Sequence, residues 1–435
     1  MIISDKAVER RIKRANTDWW IHSKAVVGAD GKTYIAYFND LGEIHVKQFD
    51  AKCSRALSQD VTLTRFNGSY ADEHNSPSVC IMESGRIIVA YTAHAATNTL
   101  KYRVTQRPWD LSSFGPEKVL NYHSSVTYAQ LYENVTRGEL WLFTRVNRVT
   151  WEFRYSSDEG DTWSAPHTFL KSDAGGLFYF DVRRQLVPDR ELGSREQWFF
   201  ALYGHPRVSK DHTIRAGIFD ADGELRHLNG EKGGVNLFDD ASLLDLGTLD
   251  VVYASPEGTT VRLLEVTPTL PCRVGLASFE LNKPETITYY IASWNGDRFA
   301  LSAPICSGGE FLSPDWQTDG SQTYLGGMAC YYGVGFAGMN PRAERGSINT
   351  DRVFIARFDG RDRVLESYTS EDRGATYSLE QVIRRIPGAD GRKIWRPTVP
   401  IHAQDNLPVY WHEGVYCAHT GGWHCDAVML VEYDD

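Results

Sequence analysis

No run of about 18 apolar residues occurs anywhere in the 435-residue sequence, which excludes a membrane-spanning helix. Amphipathic helical patterning longer than two turns is also missing, so helical bundles and α/β folds built on alternating strands and helices are excluded. Positive charge is short: 46 Lys and Arg stand against 56 Asp and Glu, a formal net charge of -10, and no basic run reaches the length of a nucleic-acid patch. Nucleic acid and anionic membrane surfaces are therefore poor partners for this chain. A paired-cysteine framework is lacking too, because the seven cysteines (Cys53, Cys80, Cys272, Cys306, Cys330, Cys417, Cys425) are odd in number and irregularly spaced. Reduced, buried thiols are expected. The opening residues Met1 to Arg11 contain no apolar core of signal-peptide length, and together with the thiols this gives a cytoplasmic location as the expectation.

What the sequence has in quantity is aromatic and β-branched residues, 12 Trp and 22 Tyr among them, in short runs divided by Gly, Asp and Asn turns. One strand type recurs as Lys32 to Phe38, Arg86 to Thr92, Glu139 to Arg145 and Gln197 to Tyr203, with weaker copies at Arg273 to Phe279, Arg352 to Arg357 and Leu407 to Trp411. A spacing of about fifty to sixty residues fits the blade period of a propeller. Seven copies predict an all-β, seven-bladed β-propeller of four-stranded antiparallel blades, running as one domain over residues 1–435.

Two octads reinforce this reading. Ser156-Ser-Asp158-Glu-Gly160-Asp-Thr162-Trp163 and Ser370-Glu-Asp372-Arg-Gly374-Ala-Thr376-Tyr377 both fit the Asp-box pattern S-x-D-x-G-x-T-[WY]. In such a turn the Asp side chain caps backbone amides, the Gly supplies a positive φ, and the aromatic anchors the hairpin between blades. Both boxes are read as structural.

In a propeller the ends of the inner strands converge on one cleft, so polar residues there are candidates for chemistry. Blade two supplies Asp72-Glu73-His74-Asn75-Ser76-Pro77 and then Tyr91-Thr92-Ala93-His94; blade three supplies Val126-Thr127-Tyr128 and Phe143-Thr144-Arg145; blade four supplies Tyr179, Asp181, Arg183 and Gly204-His205-Pro206-Arg207. Each has a plainer alternative: a turn-capping or core histidine, a tyrosine packed between blades, an arginine in an ion pair. Convergence of two His, two Tyr and up to two Arg on one region favours function.

These same strings resemble the Asp-box (BNR-repeat) propeller polysaccharide lyases, the group of ulvan lyases and rhamnose-α-1,4-glucuronate lyases. The resemblance is densest from about residue 19 to about residue 210. It implies that His74 and His94 are the catalytic histidines, Tyr128 transfers a proton, Arg145 clamps the uronate carboxylate and Tyr179 supports them; Asn75, Arg183, His205 and Arg207 are the candidate substrate contacts beside them. The implied reaction is β-elimination at the bond to C4 of a uronic acid in a poly- or oligosaccharide. The residue types suit it, since removal of the C5 proton needs the carboxylate neutralised and a neutral His or a phenolate as base. His74 and Tyr128 can exchange the roles of base and acid.

No cofactor is required for that chemistry, and the protein is expected to act as a monomer. Some members of the group hold a structural zinc near the fourth blade, but no cysteine lies between Cys80 and Cys272. A metal ion is left open at Cys417, His419, His424 and Cys425, whose spacing matches no standard zinc pattern. Three other functions compete. A sialidase would carry an early Arg-Ile-Pro motif, and the nearest late string is Trp395-Arg396-Pro397. A glycoside hydrolase on rhamnosyl-glucuronate would use a carboxylate pair, with Asp72, Glu73 and Asp181 available. A non-catalytic carbohydrate-binding propeller would keep its aromatics and use the histidines only as structure.

Overall fold

A computed structural model describes residues 8–16, 24–50, 56–58, 60–66, 72–94, 96–172, 178–189, 193–204, 212–239, 242–267, 270–281, 283–311, 326–332, 351–401, 409–417 and 422–431. Its strands form seven separate sheets of four to six strands, paired antiparallel within each sheet. Helical structure among the described residues is limited to short 3-10 turns, and no described helix is long and apolar enough to cross a membrane.

Every recurrent strand read from the sequence becomes an interior strand of its own sheet: Lys32–Asn39, Ile87–Thr92, Glu139–Val146, Gly193–Gly204, Arg273–Glu280, Asp351–Phe358 and Tyr410–Cys417. The physical reason is burial on both faces. Ile87–Thr92 and Glu139–Val146 are buried at every position, so both sets of alternate side chains must be apolar or internally paired. Strands nearer an edge show the period-2 alternation instead: in Thr99–Val104 the residues Leu100, Tyr102 and Val104 are buried and the ones between are half-exposed.

The chain packs as two compact units, one formed by Met1–Lys171 with Val399–Asp435 and the other by Ser172–Thr398. In the first unit the N-terminal strand Val8–Ile12 pairs with Gly422–Val431, which pairs in turn with Tyr410–Cys417, so the two ends of the chain share a sheet. Cores lie between successive sheets. Cys80, Ile88, Leu100 and Tyr102 from one sheet pack on Ala129, Leu131, Leu140 and Leu142 from the next, and Tyr34, Ala36 and Val46 pack on Val79, Ile87 and Val89. At about 25 cal/mol per Å² of apolar surface buried, these sheet-to-sheet layers are the main stabilising term. In the second unit Leu264, Tyr289 and Ile291 meet Met328, Val353 and Ile355 in the same manner.

The two Asp boxes fold alike. Ser156 Oγ donates to Asp158 Oδ1 at 2.8 Å and accepts from the Gly160 amide at 2.8 Å, while Asp158 accepts from the Thr162 amide at 2.7 Å and the Thr162 hydroxyl at 2.6 Å. Ser370, Asp372, Gly374 and Thr376 repeat those four bonds at 2.8, 2.8, 2.8 and 2.6 Å. Gly160 and Gly374 sit at φ 87° and 89°, a region that a Cβ disfavours. Trp163 meets Tyr102 edge to face, and the Tyr102 hydroxyl donates to the Gly160 carbonyl at 2.8 Å, which ties the turn to the preceding sheet. Both boxes are structural, as their residue types indicate. Cys272 and Cys306 are free thiols.

Candidate active site

The first unit brings four of the sequence-derived residues together. His74 stands in the 3-10 turn Glu73–Asn75, just before the strand Ser78–Ile81, and His94 follows the end of Ile87–Thr92. Their rings stack with centroids 3.9 Å apart and planes 13° from parallel. Tyr128 lies 5.8 Å from His74 and 6.3 Å from His94, centroid to centroid. The Arg145 guanidinium covers the Tyr128 ring at 4.3 Å.

Local sequence places each of these groups. Tyr128 has φ 62° and sits where the pairing of Val126–Asn134 with Glu139–Val146 slips between Thr127 and Gln130. A bulge of this kind re-aims a side chain out of the regular alternation, and a positive φ at a bulky residue is a cost that active sites often retain. Arg145 pairs across with Thr127 on one side and Trp151 on the other, and Trp151 stacks on Tyr128 at 6.2 Å. Tyr128 and Arg145 are buried, at 1% and 4% exposure. The His94 side chain, at 27%, is the more open of the two imidazoles, His74 being at 9%.

One carboxylate organises the pair. Asp72 Oδ1 lies 2.5 Å from His74 Nδ1 and Oδ2 lies 2.7 Å from His94 Nδ1. Asp72 Oδ1 also accepts from the His74 amide at 3.0 Å. Asn75 holds the other side: its Oδ1 accepts the His94 amide at 2.7 Å, so at least this oxygen serves the placement of His94. Burial pushes the His74 imidazole down to about 4, helped by the neighbouring His94 and Arg145 and opposed by Asp72. Burial acts to raise the Asp72 carboxyl, but the two imidazoles outweigh it and hold it well below the usual carboxylate range.

Among the described residues Asp72, His74 and His94 are the group whose potential ligand atoms gather most closely, within 4.8 Å of one another. Their separations of 2.5 and 2.7 Å are those of hydrogen bonds, each with a proton between the atoms. The closing hairpin offers less: His424 contacts Asp40 at 3.1 Å, while the next residue, Cys425, is buried with its thiol donating to the Ala15 carbonyl. Adjacent strand residues point to opposite faces, so these two turn away from each other. The Cys417 side chain and His419 lie outside the described residues.

Tyr179 and Arg183 belong to the second unit. Tyr179 stacks on Tyr203 at 5.3 Å, and the fully buried Arg262 lies 5.4 and 5.7 Å from their rings. Arg183 is bound to Asp181 at 2.6 Å and lies 3.7 Å from Glu265. His205 and Arg207 lie outside the described residues. Sequence reasoning missed the double acceptor role of Asp72 and the stacking of Trp151 on Tyr128.

Residues 32–205 match the model of the BNR repeat-containing family. Over 172 residues the chain is 30% identical to an ulvan lyase, polysaccharide lyase family 25, of Pseudoalteromonas sp. (strain PLSV), covering 35% of this chain and 34% of that one. An ulvan lyase of Nonlabens ulvanivorans is 26% identical over 163 residues, 33% of this chain and 34% of that protein. The chain thus matches about a third of the length of these curated relatives. A solved family 25 ulvan lyase bound to -[GlcA(1-4)Rha3S]- superimposes with a TM-score of 0.64 at 15% identity, covering 96% of this chain and 95% of that one.

The fold is therefore a seven-bladed β-propeller, with residues 32–205 similar to the BNR repeat-containing family. Within that class the chain is similar to ulvan lyases, and the residues that match the BNR repeat-containing family, 32–205, include His74, His94, Tyr128 and Arg145.

Proposed function

We propose that this protein is a polysaccharide lyase that cleaves the bond to C4 of a uronic acid in a rhamnose–uronate chain such as ulvan. The observation that carries the reading is the packing of two stacked imidazoles, a tyrosine and a buried arginine into one cluster. The relatives named ulvan lyase support it. The C5 hydrogen of a uronate becomes acidic once its carboxylate is neutralised, and a guanidinium is suited to that by its planar, permanently charged fork. Arg145 is the group assigned to it.

The electron pair of the C5–H bond then forms the C4–C5 double bond as the C4–O4 bond breaks, and O4 leaves with a proton. His74, held neutral by its burial, is suited to take the C5 proton, and the Tyr128 hydroxyl to protonate O4. No cofactor enters this scheme. The hydrolase alternative is weakened because Asp72 is engaged by both histidines and Asp181 by Arg183.

The test is ultraviolet absorbance of the unsaturated uronate on incubating the protein and its His74→Ala variant with ulvan and with rhamnosyl-glucuronate oligosaccharides. A rise with the parent that is lost in the variant supports the lyase. Reducing sugar released without absorbance overturns it in favour of a hydrolase, and neither signal leaves a binding propeller.

A further inference from the structure

We infer that Asp72 is a positioning residue: its single carboxylate accepts a hydrogen bond from Nδ1 of both His74 and His94 and thereby commits both rings to the tautomer whose Nε2 is unprotonated. The argument needs only donor and acceptor chemistry. An ionised carboxylate can accept and cannot donate, so each imidazole nitrogen facing it must carry the hydrogen. Asp72 Oδ1 faces His74 Nδ1 at 2.5 Å and Oδ2 faces His94 Nδ1 at 2.7 Å, so both oxygens are used and both rings are fixed the same way. The 3.9 Å stack keeps the two rings nearly parallel, which is how one small carboxylate can reach both.

The carboxylate is itself held by the chain. Asp72 Oδ1 accepts the His74 amide at 3.0 Å and the Asp72 backbone carbonyl accepts the Asn75 amide at 3.1 Å, so the residue that leads into the 3-10 turn carrying His74 is also the acceptor for its ring. Asn75 fixes the backbone of His94 by accepting its amide. Both imidazoles are thus oriented from residues 72 and 75, two positions before His74 and one after it.

Two consequences follow for the reaction. A ring in this tautomer, while neutral, offers a lone pair at Nε2 and no second N–H, so it cannot hydrogen-bond a uronate carboxylate through a ring N–H without gaining a proton. Neutralising that carboxylate therefore falls to Arg145, and the histidines are left as acceptors for the C5 proton. This assignment of reaction roles rests on the lyase reading; the fixing of the tautomers does not.

The experiment separates the two. In full-length protein labelled with 15N-histidine, long-range 1H–15N spectra report which ring nitrogen carries the hydrogen, with His74 and His94 assigned from their Ala variants. Both rings are expected as Nδ1–H. Asp72→Asn keeps the shape but offers one acceptor and one donor, so one ring is expected to keep Nδ1–H and the other to switch to Nε2–H. Nε2–H on either ring of the parent, or unchanged tautomers in Asp72→Asn, overturns the inference.

On a uronate substrate Asp72→Asn is expected to lower kcat by about 10²- to 10⁴-fold with KM little changed. An unaltered kcat in a variant whose tautomer has switched overturns the positioning role. Thermal unfolding verifies that the variant is folded; if it is not, the parent's tautomers decide alone, since both as Nδ1–H supports the inference and either as Nε2–H refutes it. Absence of any uronate cleavage by the parent overturns the lyase reading while leaving the tautomer result standing.

Discussion

His74 and His94 stack face to face at 3.9 Å over one shared carboxylate, so a proton added to either ring is felt by the other. Asp72, His94 and Arg145 are the charged and titratable groups that act on His74, and burial, aided by His94 and Arg145 and opposed by Asp72, sets its proton affinity low.

That arrangement sets a pH dependence of stability with a defined sign. The His74 imidazole goes from 6.5 unfolded to about 4 folded, so between these values the unfolded chain binds more protons. Its contribution is fully present above 6.5 and is lost as pH falls towards 4. Asp72, held below its unfolded value of 3.8, adds stability that is lost at still lower pH. Urea denaturation across this range should show stability falling with acid, and His74→Gln should flatten the upper part of the slope. A parallel slope in the variant would place the titrating group elsewhere.

Tyr128→Phe should remove the proposed proton donor while leaving the ring where it is. The stack on Trp151 at 6.2 Å and the Arg145 cover at 4.3 Å need only the ring. The variant is expected to unfold at nearly the parent temperature and to lose about 10²- to 10⁴-fold in kcat on a uronate substrate. Full activity in this variant would remove the hydroxyl from the mechanism.

Arg145→Lys tests the carboxylate clamp. Arg145 is 4% exposed, lies over an aromatic face, and occupies a buried strand in register with Thr127 and Trp151. Lysine keeps the charge but loses the planar fork and the stacking. A loss of about 10- to 100-fold in kcat/KM on uronate-containing oligosaccharides is expected, corresponding to a charge-assisted hydrogen bond of about 1.5–3 kcal/mol. Unchanged kcat/KM would show that the carboxylate is neutralised by another group.

The repeat was legible because its cause is local. A strand buried on both faces must be apolar along its whole length, and Arg86-Ile-Ile-Val-Ala-Tyr-Thr92 shows this without any knowledge of its neighbours. Each Asp box is closed by its own eight residues and could likewise be read as a turn. His74, His94, Tyr128 and Arg145 were legible as strand-end residues, and they do meet. The bond from Asp72 to His94 was not, because it joins positions 22 apart through the packing of a turn on a strand end. The positive φ of Tyr128 leaves no mark in a Val-Thr-Tyr string either. For Arg183 a signal was present: Asp181 lies two residues before it, and such residues share one face of a strand and can pair.

Ser156→Ala separates scaffold from chemistry. The Ser156 hydroxyl is 2% exposed by residue, accepts the Gly160 amide and donates to Asp158, and the turn it closes carries Trp163 against Tyr102 of the preceding sheet. Removing it leaves the Gly160 amide without that acceptor and takes one of two donors from Asp158 Oδ1, which keeps the Thr162 amide, and should cost about 1–3 kcal/mol. The Ser156 hydroxyl bonds Asp158 and Gly160, whereas His74 and His94 bond Asp72 and Asn75, so kcat and KM at low temperature should stay at parent values while the unfolding midpoint drops. A fall in kcat without a fall in the midpoint would mean that the Asp box takes part in the reaction and is more than a clasp for its blade.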